Sequence, residues 1–229
     1  MIYHDALIPY QVKYDRLSRH PFEVILTLQS GHIGYSPLML DAILSKAVVD
    51  EATDGRGLPQ SAEPYSIPLP LHVLWQSSEG LPLWASTAFF PEETNHTESA
   101  FWHKRAMRPE MVQKNKAGIV AIRITQGAHK EYRIPMPRQS ALTWRATAEG
   151  NMDEVARLLG RIASVGKKRS IGFGVVKSWE ISEIPAFSLV DTDGNPLRPI
   201  PAGYLHDSIL PMGNQSHLNS LQYTAWTPP

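Results

Sequence analysis

Three glycines and three cationic side chains occur together within nine residues, Gly166 to Gly174, and this run constrains the fold more than any other part of the chain. It follows an apolar pattern with helical spacing and leads directly into a predicted strand. Because glycine allows tight turns and lets two backbones approach closely, the run predicts a loop held against another segment. Lysine and arginine contact phosphates, and Phe173 offers a ring on which a base can stack. The alternative is an ordinary helix C-cap and turn with solvated lysines.

Basic residues are concentrated in one part of a chain that is neutral as a whole, with 22 Lys and Arg against 22 Asp and Glu. Between residues 101 and 180 there are 16 basic and 6 acidic residues, a net charge of +10 that leaves −10 elsewhere. Asymmetry of this size predicts a surface for a polyanion such as RNA or DNA, with salt-dependent binding.

The composition limits the classes of protein to which this chain can belong. At 229 residues with 42% hydrophobic residues, the chain is long enough for one large domain or two small ones with a real core. The absence of cysteine excludes disulfides and thiolate zinc sites. The first residues lack the pattern of a signal peptide, and no apolar run reaches the ~18–20 residues of a membrane span. We expect a cytoplasmic protein with no membrane contact and no cofactor.

Hydrophobic periodicity predicts an α+β fold. Two hairpins are expected, one around the turn at 77–80 and one around 126–128, and residues 91–118 are expected to form a long basic loop. The order matches a ferredoxin-like (RRM-like) βαββαβ core with an inserted thumb hairpin. The predicted domain is 1–184, with the insertion at about 91–138 and an irregular proline-rich extension at 185–229. The predicted strands are 22–28, 69–75, 83–90, 119–125, 132–134, 142–148 and 175–184, and the predicted helices are 37–49 and 152–163.

The predicted insertion supplies two further sets of candidate residues. One is a basic run with an interleaved aromatic, which suits contact with RNA, DNA or a neighbouring subunit: Trp102, His103, Lys104, Arg105, Arg108, Lys114 and Lys116. Its alternative is a solvated loop with the tryptophan packed on the core. The other set lies on the thumb hairpin and is a candidate for RNA contact, or else the polar face of an ordinary hairpin: Arg123, Lys130, Arg133 and Arg138.

Three stretches resemble the repeat-associated RAMP proteins of CRISPR–Cas systems. They are the glycine-rich run that continues to Val176, the predicted helix around Leu38–Leu44, and Trp84–Ala88 ahead of the basic insertion. Within that group the chain resembles the small Cas-five-like subunit of type IV systems, over roughly residues 20 to 182. The run has three glycines, fewer than the richest RAMP loops. The resemblance covers nothing in 185–229.

The resemblance implies a non-catalytic subunit of a ribonucleoprotein effector. Such subunits cap the 5′ handle of the CRISPR RNA, contact the first backbone subunit through a thumb hairpin, and lie beside the large subunit near the protospacer-adjacent end of the target DNA. The implied partners are therefore CRISPR RNA, the backbone and large subunits, and the target duplex. The residues implied to hold the RNA are Gly166, Lys167, Lys168, Arg169, Ser170, Gly172, Phe173 and Gly174.

Catalysis and metal binding are weaker hypotheses. A metal-independent endoribonuclease that processes repeat RNA would need a base or acid near the phosphate, and His32, with Tyr35 and Lys46 near it in sequence, is the candidate. His96 and His103 are seven residues apart beside several glutamates, but no established metal-ligand spacing supports them. A third hypothesis is a scaffold whose basic face docks an acidic protein. No catalytic residue and no metal ligand is assigned.

Overall fold

The computed structural model describes residues 4–34, 37–104, 132–201 and 203–204, and the side chains of all of these except 102–104 and 132. The predicted α+β class is confirmed by mixed helices and antiparallel sheets. The helices are α1 (Ile8–Tyr14), α2 (Leu40–Ala52) and α3 (Met152–Leu159). The strands are β1 (His20–Leu28), β2 (His32–Ile33), β3 (Val73–Gln76), β4 (Pro82–Trp84), β5 (Phe90–Pro91), β6 (Thr97–Lys104), β7 (Tyr132–Gln139), β8 (Thr143–Gly150) and β9 (Val176–Glu183).

The central sheet contains four antiparallel strands in the order β5-β8-β1-β9. Alternate residues of β1 are apolar and fully buried, so one face of the sheet is a continuous apolar layer. The apolar sides of α2 and α3 pack against that layer and form the main core. The core contains Phe22, Val24, Leu26 and Leu28 from β1, Trp144, Ala146 and Ala148 from β8, Leu40, Leu44, Ala47 and Val48 from α2, and Val155, Leu158 and Leu159 from α3.

Helix α3 begins as the sequence predicts but ends four residues earlier. The side chain of Asn151 caps it by accepting a hydrogen bond from the backbone N–H of Glu154 at 2.9 Å. It ends at Leu159 because glycine, a poor helix former, follows and because Ser164 forms a bridge with Val175. The chain must therefore leave the helix before it reaches the glycine-rich run.

The largest error of the sequence-based prediction concerns residues 91–118, which were expected to be a loop. Residues 97–104 of this stretch form β6, which pairs with β7 in an unbroken eight-residue register from Thr97–Gln139 to Lys104–Tyr132. The predicted partner of the 132–134 strand, at 119–125, lies outside the described residues. We call the β6–β7 pair the arm. Polar residues occupy much of it, so it lacks the apolar alternation by which sequence patterns reveal strands.

Two prolines explain why the sequence predicts β7 to end at residue 134. The carbonyl of Pro137 accepts a hydrogen bond from Gly34 at 3.2 Å, on the edge of β7 that faces away from β6. Residues two apart use the same edge of a strand, so Pro135 and Pro137 both lack an N–H on that edge. The ladder with β6 uses the opposite edge and is intact. Such prolines also block further strand pairing at an exposed edge.

The described part of the C-terminal stretch packs onto the body of the protein. Leu189 and Ile200 are buried against Leu83 of β4 in a second apolar cluster. The guanidinium of Arg198 bonds Asp41 at 2.8 Å and the carbonyl of Ser86 at 3.0 Å. Residues 185–201 form no helix or strand, and the sequence did not indicate the contacts that they make with the body.

Glu154 joins α1 to α3 through one buried carboxylate. It accepts hydrogen bonds from the Tyr14 hydroxyl at 3.2 Å and from Arg157 at 2.8 Å, and it pairs with Lys13 at 2.7 Å. Arg157 also bonds Glu51 of α2 at 2.8 Å. Burial opposes ionisation of Glu154, but the hydrogen bonds from Arg157 and Lys13 outweigh it and lower its pKa to about 2.

We expect Glu154→Ala to lower the free energy of unfolding by about 2–4 kcal/mol, because it leaves the buried Tyr14 hydroxyl without its acceptor and removes a carboxylate from two cations. Denaturant unfolding of the full chain measures this change. The matched control, Glu180→Ala, removes an exposed carboxylate from β9 and should alter stability by no more than about 0.5 kcal/mol. Equal effects of the two substitutions would contradict the assignment.

Candidate nucleic-acid interface

The glycine-rich run at 166–174, called here the glycine loop, is fixed to the body by backbone hydrogen bonds. The N–H of Lys167 donates to the carbonyl of Ile33 at 2.8 Å, and the N–H of Gly174 donates to the carbonyl of Gly31 at 3.1 Å. The base of the loop closes on itself through the N–H of Val165, which donates to the carbonyl of Gly174 at 2.8 Å. The loop is therefore anchored at both ends rather than free.

Two of the loop glycines are required by close backbone contact. Gly174 has a φ of +65°, and a Cβ there would overlap the carbonyl oxygen of Val165. Gly166 has a φ of +75°, and a Cβ there would lie 2.9 Å from the carbonyl oxygen of Ile33. Gly172 also has a positive φ, of +89°, but open space surrounds the position of its Cβ. Only the first two permit the approach that fixes the loop.

The outer part of the loop presents its side chains to solvent. Lys168 has a left-handed backbone with a φ of 59°, and the following turn of 3-10 helix spans Arg169–Ile171. Lys167, Arg169 and Ser170 are exposed, and Ile171 is 62% exposed. The sequence therefore predicted the position of these cations correctly in one respect: they lie on a tight, exposed loop after α3.

The glycine loop and the arm belong to one hydrogen-bonded arrangement of backbones. Strand β2 pairs with β7, with His32 opposite Gln139 and Ile33 opposite Arg138. On its other side Ile33 forms a bridge with Lys167 of the loop. The order across this arrangement is thus β6, β7, β2 and the loop. This connection could not be seen in the sequence because β2 is only two residues long.

Arg138 and Phe173 meet where the arm joins the loop. The guanidinium carbon of Arg138 lies 5.8 Å from the centroid of the Phe173 ring, within the range of a cation–π contact. Nη1 of Arg138 is 3.5 Å from a carboxylate oxygen of Glu98 across the ladder. Phe173 is half-buried. Two residues predicted independently as RNA contacts are therefore neighbours.

Arg133 lies on the opposite face of the arm from Arg138. The two residues are five positions apart in an unbroken strand, and side chains alternate between faces at each residue. The guanidinium carbon of Arg133 stacks 3.5 Å from the centroid of Phe101, which is 43% exposed. The sequence grouped Arg133 and Arg138 on one surface, and the structure separates them.

His32, the catalytic candidate, is buried beneath the glycine loop. It is 2% exposed, and its ring packs edge-to-face on Trp144 with centroids 4.8 Å apart. Nδ1 is buried without a hydrogen-bond partner among the described residues. Burial lowers the pKa of His32 to about 4. The imidazole is therefore neutral at physiological pH and packs as a ring of the core.

Several basic residues of the positive segment are neutralised by acids from elsewhere in the chain. Arg145 pairs with Glu23 and Glu92, and Arg161 bonds Glu51 at 2.6 Å, as Arg157 also does. The charge asymmetry along the sequence therefore exceeds the asymmetry of the folded surface. By contrast, Arg169 has no carboxylate within ion-pair distance among the described residues.

Much of the basic insertion lies outside the described residues, including Arg105, Arg108, Lys114, Lys116, Arg123 and Lys130. Trp102, His103 and Lys104 belong to β6 by their backbone. Across the described part of the chain, no three His, Asp or Glu side chains come together as metal ligands. Glu93, considered beside His96 as a possible ligand, instead accepts a hydrogen bond from the backbone N–H of Thr143 at 3.3 Å.

The family comparison matches most of the chain. The family model described as CRISPR type IV associated protein Csf3 matches residues 20–188. This stretch contains the central sheet, the arm and the glycine loop, and the match confirms the resemblance to the type IV subunit found in the sequence. No curated protein matches the chain. Among the described residues, none of the helices has both the length and the apolar character needed to span a membrane.

We expect Gly174→Ala and Gly172→Ala to differ in cost although both glycines have a positive φ. Gly172→Ala should lower the free energy of unfolding by about 1–2 kcal/mol, the cost of a left-handed alanine alone. Gly174→Ala should lower it by clearly more, since its Cβ also overlaps a carbonyl oxygen and must displace the loop. Denaturant unfolding of the two variants provides the comparison, and equal costs would show that the close contact is absent.

Burial of His32 predicts a loss of stability in mild acid. Its pKa falls from 6.5 to about 4 on folding, so the unfolded chain binds a proton at higher pH than the folded chain does. The stabilisation is complete above pH 6.5 and decreases as the pH falls towards 4, by about 3 kcal/mol in total. His32→Phe keeps the ring contact with Trp144 and should remove this dependence. Denaturant unfolding across the window tests it; identical slopes in both proteins would overturn it.

Proposed function

Because the chain belongs to the Csf3 family of CRISPR type IV associated proteins, we propose that it is the subunit that binds the 5′ handle of the CRISPR RNA in a type IV effector. In this proposal the subunit does not cut RNA. Its partners are the CRISPR RNA, the first backbone subunit and the large subunit near the protospacer-adjacent end of the target DNA. The glycine loop is the main RNA contact.

The observation that carries the proposal is the anchored, cationic glycine loop. Its ends are fixed by the hydrogen bonds to Ile33 and Gly31, and Lys167 and Arg169 are exposed between them. A loop that is already ordered loses little conformational freedom when it binds, so more of the contact energy appears as affinity. Cations on such a loop suit phosphates, and the backbone at Gly172 to Gly174 allows a close approach of the RNA strand.

The strand order supports a ferredoxin-like core. In the order β5-β8-β1-β9, the helix α2 follows β1 along the chain and α3 connects β8 to β9. This is the arrangement of a βαββαβ unit in which β5 and β8 are the middle two strands. In such a core the glycine loop lies directly after the second helix, as the RAMP resemblance requires.

The arm is the proposed contact with neighbouring subunits. It is an eight-residue ladder in a sheet separate from the central one, and two of its apolar side chains, Phe101 and Ile134, are each 43% exposed. Phe101 and Ile134 lie on opposite faces of the ladder, so each face of the arm carries one exposed apolar side chain that contact with a neighbouring protein would bury. The basic run from Trp102 to Lys116 continues from the arm, and we propose that it contacts the guide RNA or the target duplex.

The endoribonuclease alternative has less support. It depends on His32, which is buried and has a lowered pKa of about 4. A general base or acid must reach the scissile phosphate, and its pKa should lie near the working pH. A buried core imidazole meets neither condition in this conformation. We therefore propose that cleavage of the repeat RNA is performed by another protein.

We expect replacement of Lys167, Lys168 and Arg169 together by alanine to weaken binding of CRISPR repeat RNA and to reduce its salt dependence. Each lost phosphate contact lowers the slope of log K against log salt by about 0.7 for a single strand. A native gel of the full chain with labelled repeat RNA, repeated over a series of salt concentrations, measures the slope. A denaturing gel of the same mixtures in excess chelator tests for cleavage.

The control variant replaces three exposed arginines outside the loop, Arg16, Arg19 and Arg56, and removes the same charge. It should leave the slope closer to that of the unmodified chain. Equal loss in the two triple variants would show that only net charge matters and would remove the loop from the site. Specific cleavage in chelator would establish the endoribonuclease alternative instead.

A further inference from the structure

We propose that Arg138 and Phe173 together hold one nucleotide of the RNA, an arrangement called here the bracket. Arg138 binds the phosphate of this nucleotide, and Phe173 stacks on its base. Before RNA binds, the carboxylate of Glu98 pairs with Arg138. The inference rests on the proposed function. It adds Arg138 of the arm to the RNA site, and it assigns phosphate binding to Arg138 and base stacking to Phe173.

The first argument is the relation between the two side chains. They come from segments 35 positions apart in sequence, yet the guanidinium carbon of Arg138 lies 5.8 Å from the centroid of the Phe173 ring. The backbones that carry them are joined through β2, whose Ile33 pairs with Arg138 on one side and with Lys167 of the glycine loop on the other. Next to Phe173, the N–H of Gly174 also donates to the carbonyl of Gly31 at 3.1 Å. These bonds hold the two backbones at a fixed separation, which is what a bracket for a ligand requires.

The second argument is that the donors of Arg138 are poorly used. Its nearest acid is Glu98 at 3.5 Å, and both side chains are partly exposed, at 41% and 59%. Exposed pairs of this kind contribute about 0–1 kcal/mol. Nε of Arg138 is buried without a hydrogen-bond partner among the described residues. A guanidinium has five N–H donors in a planar fork, and a phosphate can accept two of them at once.

The third argument is the role of Glu98. A carboxylate against an arginine presents the same chemistry as a phosphate, two oxygens that share a negative charge. The contact at 3.5 Å is long for a charge-assisted hydrogen bond, so a phosphate can replace it at small cost. In the free protein Glu98 is the acidic partner of Arg138, and in the proposed complex a phosphate of the RNA takes its place.

The fourth argument is what Phe173 offers. It is half-buried at the end of the glycine loop, beside the exposed Ile171 and the exposed cations of the loop. Contact with Arg138 on one side of a ring limits its rotation, which lowers the entropy cost of stacking a base against it. Stacking tolerates any base, so the bracket would fix the position of a nucleotide rather than its identity.

The experiment is a titration of fluorophore-labelled repeat RNA with the full chain at several salt concentrations. Arg138→Ala should weaken binding several-fold and lower the salt slope by about 0.7, whereas Arg138→Lys should restore most of the slope.

Phe173→Ala should weaken binding on the order of tenfold with the slope unchanged, because stacking involves no counterion, and Phe173→Trp should restore affinity. Glu98→Gln should raise affinity about twofold at low salt.

The matched control is Arg56→Ala, an exposed arginine outside both the glycine loop and the arm. It removes the same charge and should leave both affinity and slope nearly unchanged. A double substitution of Arg138 and Phe173 should cost less than the product of the two single effects, because each residue supports the other.

The outcomes separate the bracket from the function on which it rests. If the loop triple variant lowers the slope while Arg138→Ala lowers it no more than Arg56→Ala does, the bracket is wrong and the proposed function stands. If Phe173→Ala changes the slope rather than the affinity, the stacking role is wrong. If the unmodified full chain shows no salt-dependent binding, both proposals fall.

Discussion

Close backbone contact at a few glycines is the constraint on which the rest of the structure depends. A Cβ at Gly31 would overlap the carbonyl of Gln139, and a Cβ at Gly174 would overlap that of Val165. Because both positions lack side chains, the end of β1, the arm and the glycine loop meet within hydrogen-bonding distance. One short strand, β2, then joins strand β7 of the arm to the glycine loop.

This constraint gives the loop two properties that rarely coincide. A loop rich in glycine is normally flexible, because glycine has more conformations to lose on folding than any other residue. Here the glycines are used for contact, and the hydrogen bonds at Lys167 and Gly174 hold the backbone in place. The cationic side chains are consequently presented from a fixed frame. A fixed frame suits the recognition of one segment of a guide RNA at a defined position in an assembly.

Ion pairs connect distant segments in the remainder of the fold. Charges such as Glu154 and Arg157 pair within the body and connect helices that are distant in sequence. Arg198 uses the same principle to attach the C-terminal stretch to Asp41 at the start of α2. Arg145, Arg157 and Arg161, which belong to the basic segment of the sequence, pair with acids from outside that segment. Arg169 of the glycine loop makes no such pair among the described residues.

The sequence by itself determined the features that depend on local chemistry. The apolar alternation of β1 and β8, the Asn151 cap and the apolar side of α3 identify the core elements, and the glycine-rich run identifies the loop. It also indicated the family. Only the tertiary structure decided which residues share a surface: β6 is a strand because β7 pairs with it, and Arg138 meets Phe173 because β2 joins their backbones. It also buried His32 and separated Arg133 from Arg138. The physical reason is that a local pattern of apolar residues shows which side of a segment is buried. Contacts between distant segments depend instead on strand register and on close approach of backbones, and no repeating pattern in a single sequence encodes either of these.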